Sequence, residues 1–172
     1  MKDFINQSFE DHINITKITK ENYQSRIIEI GHQCSKAIIN GNKILLMGNG
    51  GSAADAQHIE AELTGRFKIE RKGLPAIAIT TNTSALTAIS NDYGFKNIFA
   101  RQIEAIASKG DVCIGLSTSG NSENISLGIQ KAKKIGCYTI GLLGKDGGDI
   151  KNHADNNIII PTEDTPRIQE MH

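Results

Sequence analysis

Tryptophan is absent from this 172-residue chain, aromatic residues make up only 5% of it, and there are three prolines and three cysteines. With so little aromatic volume, the core must be built from Ile, Leu, Val and Ala. The cysteines (Cys34, Cys113 and Cys137) are odd in number, far apart and set in apolar runs. That excludes a disulfide scaffold and a zinc ribbon, and suits a reducing cytosol. No charge of one sign prevails: 19 basic residues balance 19 acidic ones. A nucleic-acid or anionic-membrane partner would normally be met by a basic excess. No apolar run approaches the ~18 residues of a membrane span, and the opening MKDFINQSFEDH has no apolar stretch of a secretion signal. A cytoplasmic protein is expected. Hydrophobic residues are 38%, and the 17 glycines bring the apolar share near the globular norm, which excludes disorder.

What is present is an alternation. Residues 3–18 and 21–40 read as helices, the second with Ile27, Ile30 or Gly31, Cys34 and Ile38 at helical spacing. NGN at 40–42 stops it. Short apolar runs at 43–48, 75–80, 111–117, 137–144 and 156–161 read as buried strands. Helical stretches at 52–63, 83–91, 95–108 and 122–136 separate them, and 165–172 opens a last helix with Pro166 in its first turn. Ser52 and Ser122 stand where helix caps would. Continuous apolar strands between helices mean a parallel sheet covered on both faces. The expected fold is an α/β three-layer sandwich with a five-stranded parallel sheet in the flavodoxin-like order 2-1-3-4-5. A helical arm over 1–40 precedes a single domain over 41–172. In that order ligands bind where the loops after the first and third strands meet.

Those two loops are the chemically unusual ones. The first is Gly48-Asn49-Gly50-Gly51-Ser52. Its glycines let backbone approach a ligand, and the following helix offers free N–H groups to an anion. It also fits a dinucleotide fingerprint, but the second strand ends Ile79-Thr80-Thr81-Asn82 without the acid that would hold a ribose, which disfavours NAD. The lysine of a P-loop is missing too. The second loop, Ser117-Thr118-Ser119-Gly120-Asn121-Ser122, puts four hydroxyls at a strand end and a helix start. That suits a phosphate without a lysine. His58 and Glu62 share a helix face, a spacing for a metal or a base, or equally for a surface ion pair. Asn91-Asp92 reads as a turn before Gly94, and Gln169, Glu170 and His172 as the polar face of the last helix.

GNGGSAADAQHIEAELTGRF, PAIAI, NDYGF, DVCIGLSTSGNSENI, GKDGGDI and RIQEMH, in this order, resemble the sugar isomerase (SIS) domain family, and within it the phosphoheptose isomerases. The resemblance runs from about Asn42 to His172 and implies an aldose–ketose isomerase. Its substrate would be sedoheptulose 7-phosphate and its product a glycero-manno-heptose 7-phosphate for bacterial lipopolysaccharide or capsule. It implies substrate contacts from Asn49, Gly50, Gly51, Ser52, Asn91, Asp92, Ser117, Thr118, Ser119 and Ser122. It implies zinc on His58, Glu62 and Gln169, with Glu62 and Gln169 also facing substrate and Glu62 moving the proton. A further histidine ligand is expected beyond residue 172. A homotetramer is implied, with sites between subunits and one subunit's last helix completing a neighbour's site. The competing reading is a non-catalytic SIS regulator that binds the replication initiator protein. It lacks a carboxylate at the position of Glu62, so Glu62 favours the enzyme. A sensor that binds a sugar phosphate without turnover, and an isomerase of another phosphosugar, complete the alternatives.

Overall fold

The computed structural model describes residues 1–172. Helix α1 (Lys2–Ile39) leads into β1 (Ile44–Gly48), α2 (Gly51–Thr64), β2 (Ala76–Ala78), α3 (Thr83–Tyr93) and α4 (Ile98–Ile106). Then follow β3 (Val112–Ser117), α5 (Glu123–Ile135), β4 (Tyr138–Gly144), β5 (Asn156–Ile160) and α6 (Thr165–Met171). All strand pairs are parallel and the order is β2-β1-β3-β4-β5, as the alternation of elements required.

The strand side chains divide between two apolar layers with the period of two that a pleated strand imposes. Leu45, Met47, Cys113 and Leu143 face α4 and α5, where Phe99, Ile103, Ile125 and Ile129 are buried. Ile44, Leu46, Val112, Ile114, Leu116 and Ile140 face the other way, against Ala37 of α1 and Ala56 of α2. A small third cluster of Ile15, Ile160 and Ile168 ties α1, β5 and α6 together. No helix is long and apolar enough to cross a membrane.

Four local expectations need correction. Lys2–Ile39 forms one continuous helix instead of two, because Thr19-Lys20, the gap between the two expected stretches, contains neither Gly nor Pro to break it. On that helix Ile30, Cys34, Ala37 and Ile38 meet the sheet, whereas Ile27 stays half exposed outside the apolar cluster. The second strand is only three residues long, an edge strand whose Ile77 faces outward. The stretch read as one helix over 95–108 begins as a 3₁₀ turn at Phe95–Asn97 before α4.

Candidate active site

The register of β1 on β3 sets Gly48 beside Leu116, so the loops that leave these strands emerge side by side. Between β1 and α2, Gly50 takes φ 55° and ψ −121°, a combination that side chains strongly disfavour. This starts the helix one residue before Ser52, at Gly51. Ser52 is therefore not the cap, and its side chain is buried inside the first turn. The helix ladder begins with the amides of Ala53 and Ala54 donating to the Gly50 carbonyl. The amides of Gly51 and Ser52 precede that ladder, as the first amides of any helix do. The Asn49 carboxamide crosses to α5 and makes a reciprocal pair with buried Asn124, at 2.9 and 2.8 Å. This double bond locks the first loop to the helix that follows the second.

In the second loop the hydroxyls converge. Ser117 Oγ lies 3.0 Å from Ser122 Oγ and 3.4 Å from Ser119 Oγ. Ser122 occupies the N-cap position of α5, yet its side chain makes no capping bond. The hydroxyl turns to Ser117 instead, which leaves first-turn amides of α5 without a side-chain cap from Ser122. Ser119 Oγ accepts from the Asn121 amide at 3.1 Å, and the Asn121 carboxamide donates back to the Ser119 carbonyl at 3.1 Å. Hydroxyls and helix-start amides thus gather at one point, which suits a tetrahedral oxyanion.

Helix α6 lies across both loops. The Gln169 carboxamide fills the space where Gly51 would carry a Cβ, and Ile168 packs on Gly144 beside the Thr118 carbonyl. Gln169 and Gly51 are far apart in sequence, and only the return of the chain over the sheet edge joins them. The His172 ring is anchored by Nε2 against the Leu143 carbonyl at 3.2 Å. Burial lowers the pKa of His172 below the ordinary histidine value, partly offset by that carbonyl and by Asp55. The ring is therefore neutral at pH 7, with Nε2–H donating. In a single chain, α6 covers its own first loop.

His58 and Glu62 sit further along α2. His58 Nε2 is 3.7 Å from Glu62 Oε1, and the imidazole is 75% exposed against 35% for the carboxylate. At about 1.5 Å per residue, His58 is about 10 Å and Glu62 about 16 Å along the axis from Gly51. Their donor chemistry, an imidazole nitrogen, a carboxylate and the Gln169 amide oxygen, suits zinc. Within one chain, however, Gln169 stays at the start of α2 while His58 turns toward Glu62, and no three His, Cys, Asp or Glu residues gather in a ligating group. Asn91 and Asp92 bond to each other at 2.9 Å at the exposed end of α3 and make no hydrogen bond to either loop. The structure thus joins Asn49, Gly50, Gly51, Ser52, Ser117, Thr118, Ser119, Ser122 and Gln169, and leaves His58–Glu62 and Asn91–Asp92 as two separate exposed pairs. A cavity of about 440 Å³ lies at the opposite, amino end of the strands around Asn42 and Asp155, away from all of these residues.

Two residues escaped the sequence reading. Arg71 donates to the carbonyls of Glu62 (2.7 Å), Leu63 (2.8 Å), Gly65 (3.3 Å) and Lys72 (3.0 Å), and so caps the end of α2 that carries Glu62. A cation just past a helix end was the available signal. Asn124 was hidden because nothing in a helical stretch marks one asparagine as buried.

Residues 8–144 match the family model of the SIS domain. The chain is 55% identical over its whole length to a phosphoheptose isomerase of Aliarcobacter butzleri, covering 91% of that protein. It is 56% identical to one of Clostridium acetobutylicum, covering 89% of it. The solved structure of phosphoheptose isomerase GmhA from Neisseria gonorrhoeae superposes with a TM-score of 0.94 at 39% identity, over 99% of this chain and 91% of that one. With the sheet order, the paired loops and these likenesses together, the chain belongs to the SIS domain family and, within it, to the phosphoheptose isomerases.

Proposed function

We propose that the protein is a cytoplasmic aldose–ketose isomerase that converts sedoheptulose 7-phosphate to D-glycero-D-manno-heptose 7-phosphate, a precursor step for the activated heptose of lipopolysaccharide or capsule. The observation that carries this reading is the seating of the Gln169 carboxamide on Gly51, beside a loop in which the Ser119 and Ser122 hydroxyls both lie within 3.4 Å of the Ser117 hydroxyl. The phosphate ester rests on Ser117, Thr118, Ser119, Ser122 and the first amides of α5. The Asn49–Ser52 backbone and Gln169 border the sugar carbons. The phosphate is remote from the bond changes, so its binding energy goes into holding the sugar in place.

The reaction moves a carbonyl from C2 to C1. A carboxylate takes a proton from C1, and the electrons of that C–H bond form the C1–C2 double bond of the enediol as the C2 carbonyl oxygen gains a proton. The O1 hydroxyl then gives up its proton to form the C1 carbonyl as a proton is returned at C2. Glu62 is assigned this role, a general acid–base contribution of ~10²–10⁴ in rate. Three turns of α2 separate Glu62 from its own first loop, so Glu62 serves the loop of a neighbouring copy. Asn91 and Asp92 are assigned to the sugar hydroxyls of such a shared site. Exposed apolar residues along the arm, including Phe4, Ile5, Phe9 and Ile28, support burial against further copies, in a homotetramer. Zinc is assigned to His58 and Glu62 with Gln169 of another subunit, and when bound it would polarise the carbonyl as a Lewis acid.

The test is incubation of the protein with sedoheptulose 7-phosphate, with and without EDTA, and identification of the product. An aldoheptose 7-phosphate is expected, with less of it after chelation. Unchanged ketose in the presence of added zinc refutes the assignment.

A further inference from the structure

The stretch GKDGGDI has no part in the chemistry above, yet its turn holds three residues at positive φ. After β4, Lys145 adopts φ 59°, and it is the only non-glycine residue in the left-handed region. Gly147 and Gly148 follow at φ 86° and 52°. Opposite them, in the hydroxyl loop, Gly120 is at φ 69°. The two backbones touch. A Cβ on Gly120 would run into the Gly147 carbonyl, and a Cβ on Gly148 would run into that of Gly120. Hydrogen bonds fasten the contact on both sides. The Ile150 amide donates to the Gly120 carbonyl at 3.0 Å, and the Asp149 amide donates to Asn121 Oδ1 at 2.9 Å. The Asp149 carboxylate then accepts from Ser126 Oγ, in the first turn of α5, at 2.9 Å and from His153 Nε2 at 3.2 Å. Strained backbone persists only where its surroundings over-determine it, and here the surroundings are the hydroxyl loop.

We infer that the Lys145–Asp149 turn is a buttress for the phosphate-gripping loop, and that Asn121 is its positioning residue. Asn121 faces both ways. Its Oδ1 takes the Asp149 amide, and its Nδ2 holds the Ser119 carbonyl. A loop of small residues held on one side only would sample many arrangements of its hydroxyls, and ordering them would have to be supplied by the ligand. Held from behind by the turn, the loop meets the anion with Ser117, Ser119 and Ser122 already converged. Asn121 itself touches no reacting atom. The inference rests on the proposed role of the hydroxyl loop and adds what sets its affinity.

The test is Asn121→Ala, measured for inorganic phosphate binding by calorimetry and for KM and kcat on sedoheptulose 7-phosphate. Asn121 is exposed, so water replaces its bonds and the fold survives. The phosphate dissociation constant and KM should both rise about ten-fold, the equivalent of one lost hydrogen bond, with kcat within about three-fold of wild type. Gly148→Ala should weaken phosphate in the same direction. If that variant does not fold, Asn121→Ala decides alone. A merely structural role would lower the melting temperature or the active fraction and leave phosphate affinity and KM unchanged, which overturns the inference. So does a wild-type protein that binds no phosphate. A wild type that binds phosphate but leaves sedoheptulose 7-phosphate unchanged refutes the proposed reaction, while the comparison of phosphate affinities still decides the role of the turn.

Discussion

Substituting Gly51 by alanine separates stability from activity in a way that few single changes do. Gly51 is the first residue of α2 and its φ is not in the left-handed region, so alanine fits the backbone there. Alanine is better than glycine in a helix and restricts the unfolded chain, a gain of about 0.5–1 kcal/mol. The new Cβ would overlap the Nε2, Cδ and Oε1 atoms of Gln169. Those atoms are the end of a flexible side chain, which swings away at small cost. The melting temperature should therefore hold, or rise by up to about 4 °C, for a domain of this size. Activity should not survive intact, because the displaced carboxamide leaves the place beside the first loop that the proposed reaction assigns to it. A misplacement of about 1 Å at such a site costs about 10²-fold, or about 2.7 kcal/mol in kcat/KM. The double variant Gly51→Ala/Gln169→Ala should be no worse than the poorer single, since both act on one carboxamide. The assays are calorimetric melting at matched protein concentration and initial rates on sedoheptulose 7-phosphate. A melting temperature lowered by more than about 5 °C, or wild-type kcat/KM, would refute the reasoning.

Other expectations follow from the same geometry. Glu62→Gln should lower kcat by ~10²–10⁴ and leave sugar-phosphate binding in place, so unchanged turnover removes Glu62 as the proton carrier. Arg71→Ala should release the end of α2 and lower kcat, and Arg71→Lys should not rescue it, because one ammonium cannot serve carbonyls that a guanidinium fork bridges. Rescue by lysine contradicts that role. Asp111, with a 1% exposed side chain, accepts from Lys43 Nζ (2.7 Å), the Lys43 amide (3.0 Å) and the Ser108 amide (2.7 Å). Burial pushes its carboxyl up, but these donors and the Lys43 charge outweigh it and hold the pKa below the usual aspartate value. The stabilisation is therefore complete above pH ~4 and lost as pH falls further. Asp111→Ala should cost about 3 kcal/mol in denaturant melts at pH 7, with activity per folded molecule unchanged, and its penalty should shrink toward pH 3. A penalty independent of pH would contradict the assignment.

The fold was legible because every strand is a short apolar run ended by a breaker, and because parallel pairing follows from the helices between them. The position of the site was legible for the same reason: the reversal of strand order brings β1 and β3 together, and their loops are rich in glycine and hydroxyls. What the sequence concealed depends on contacts across the chain. From its spacing alone Gln169 belongs to the polar face of the last helix, and its contact with Gly51 emerges only when α6 is laid on the first loop. Ser52 reads as a cap until Gly50 adopts a conformation that starts the helix early. Arg71 lies in an irregular stretch where no periodicity marks it. The separation of Glu62 from its own first loop was implicit in counting eleven residues along a helix. It becomes decisive only when the loop and Gln169 are fixed at the other end.

That separation makes sharing between copies the central claim, and subunit complementation tests it most directly. Glu62→Gln and Ser117→Ala/Ser119→Ala chains, each inactive alone, are co-expressed in equal amounts and purified as mixed assemblies. If the hydroxyl loop of one copy works with the carboxylate of another, random assembly should restore about one quarter of wild-type sites. Mixed assemblies no more active than their parents would place the carboxylate and the loop of each site on one chain, and contradict the account.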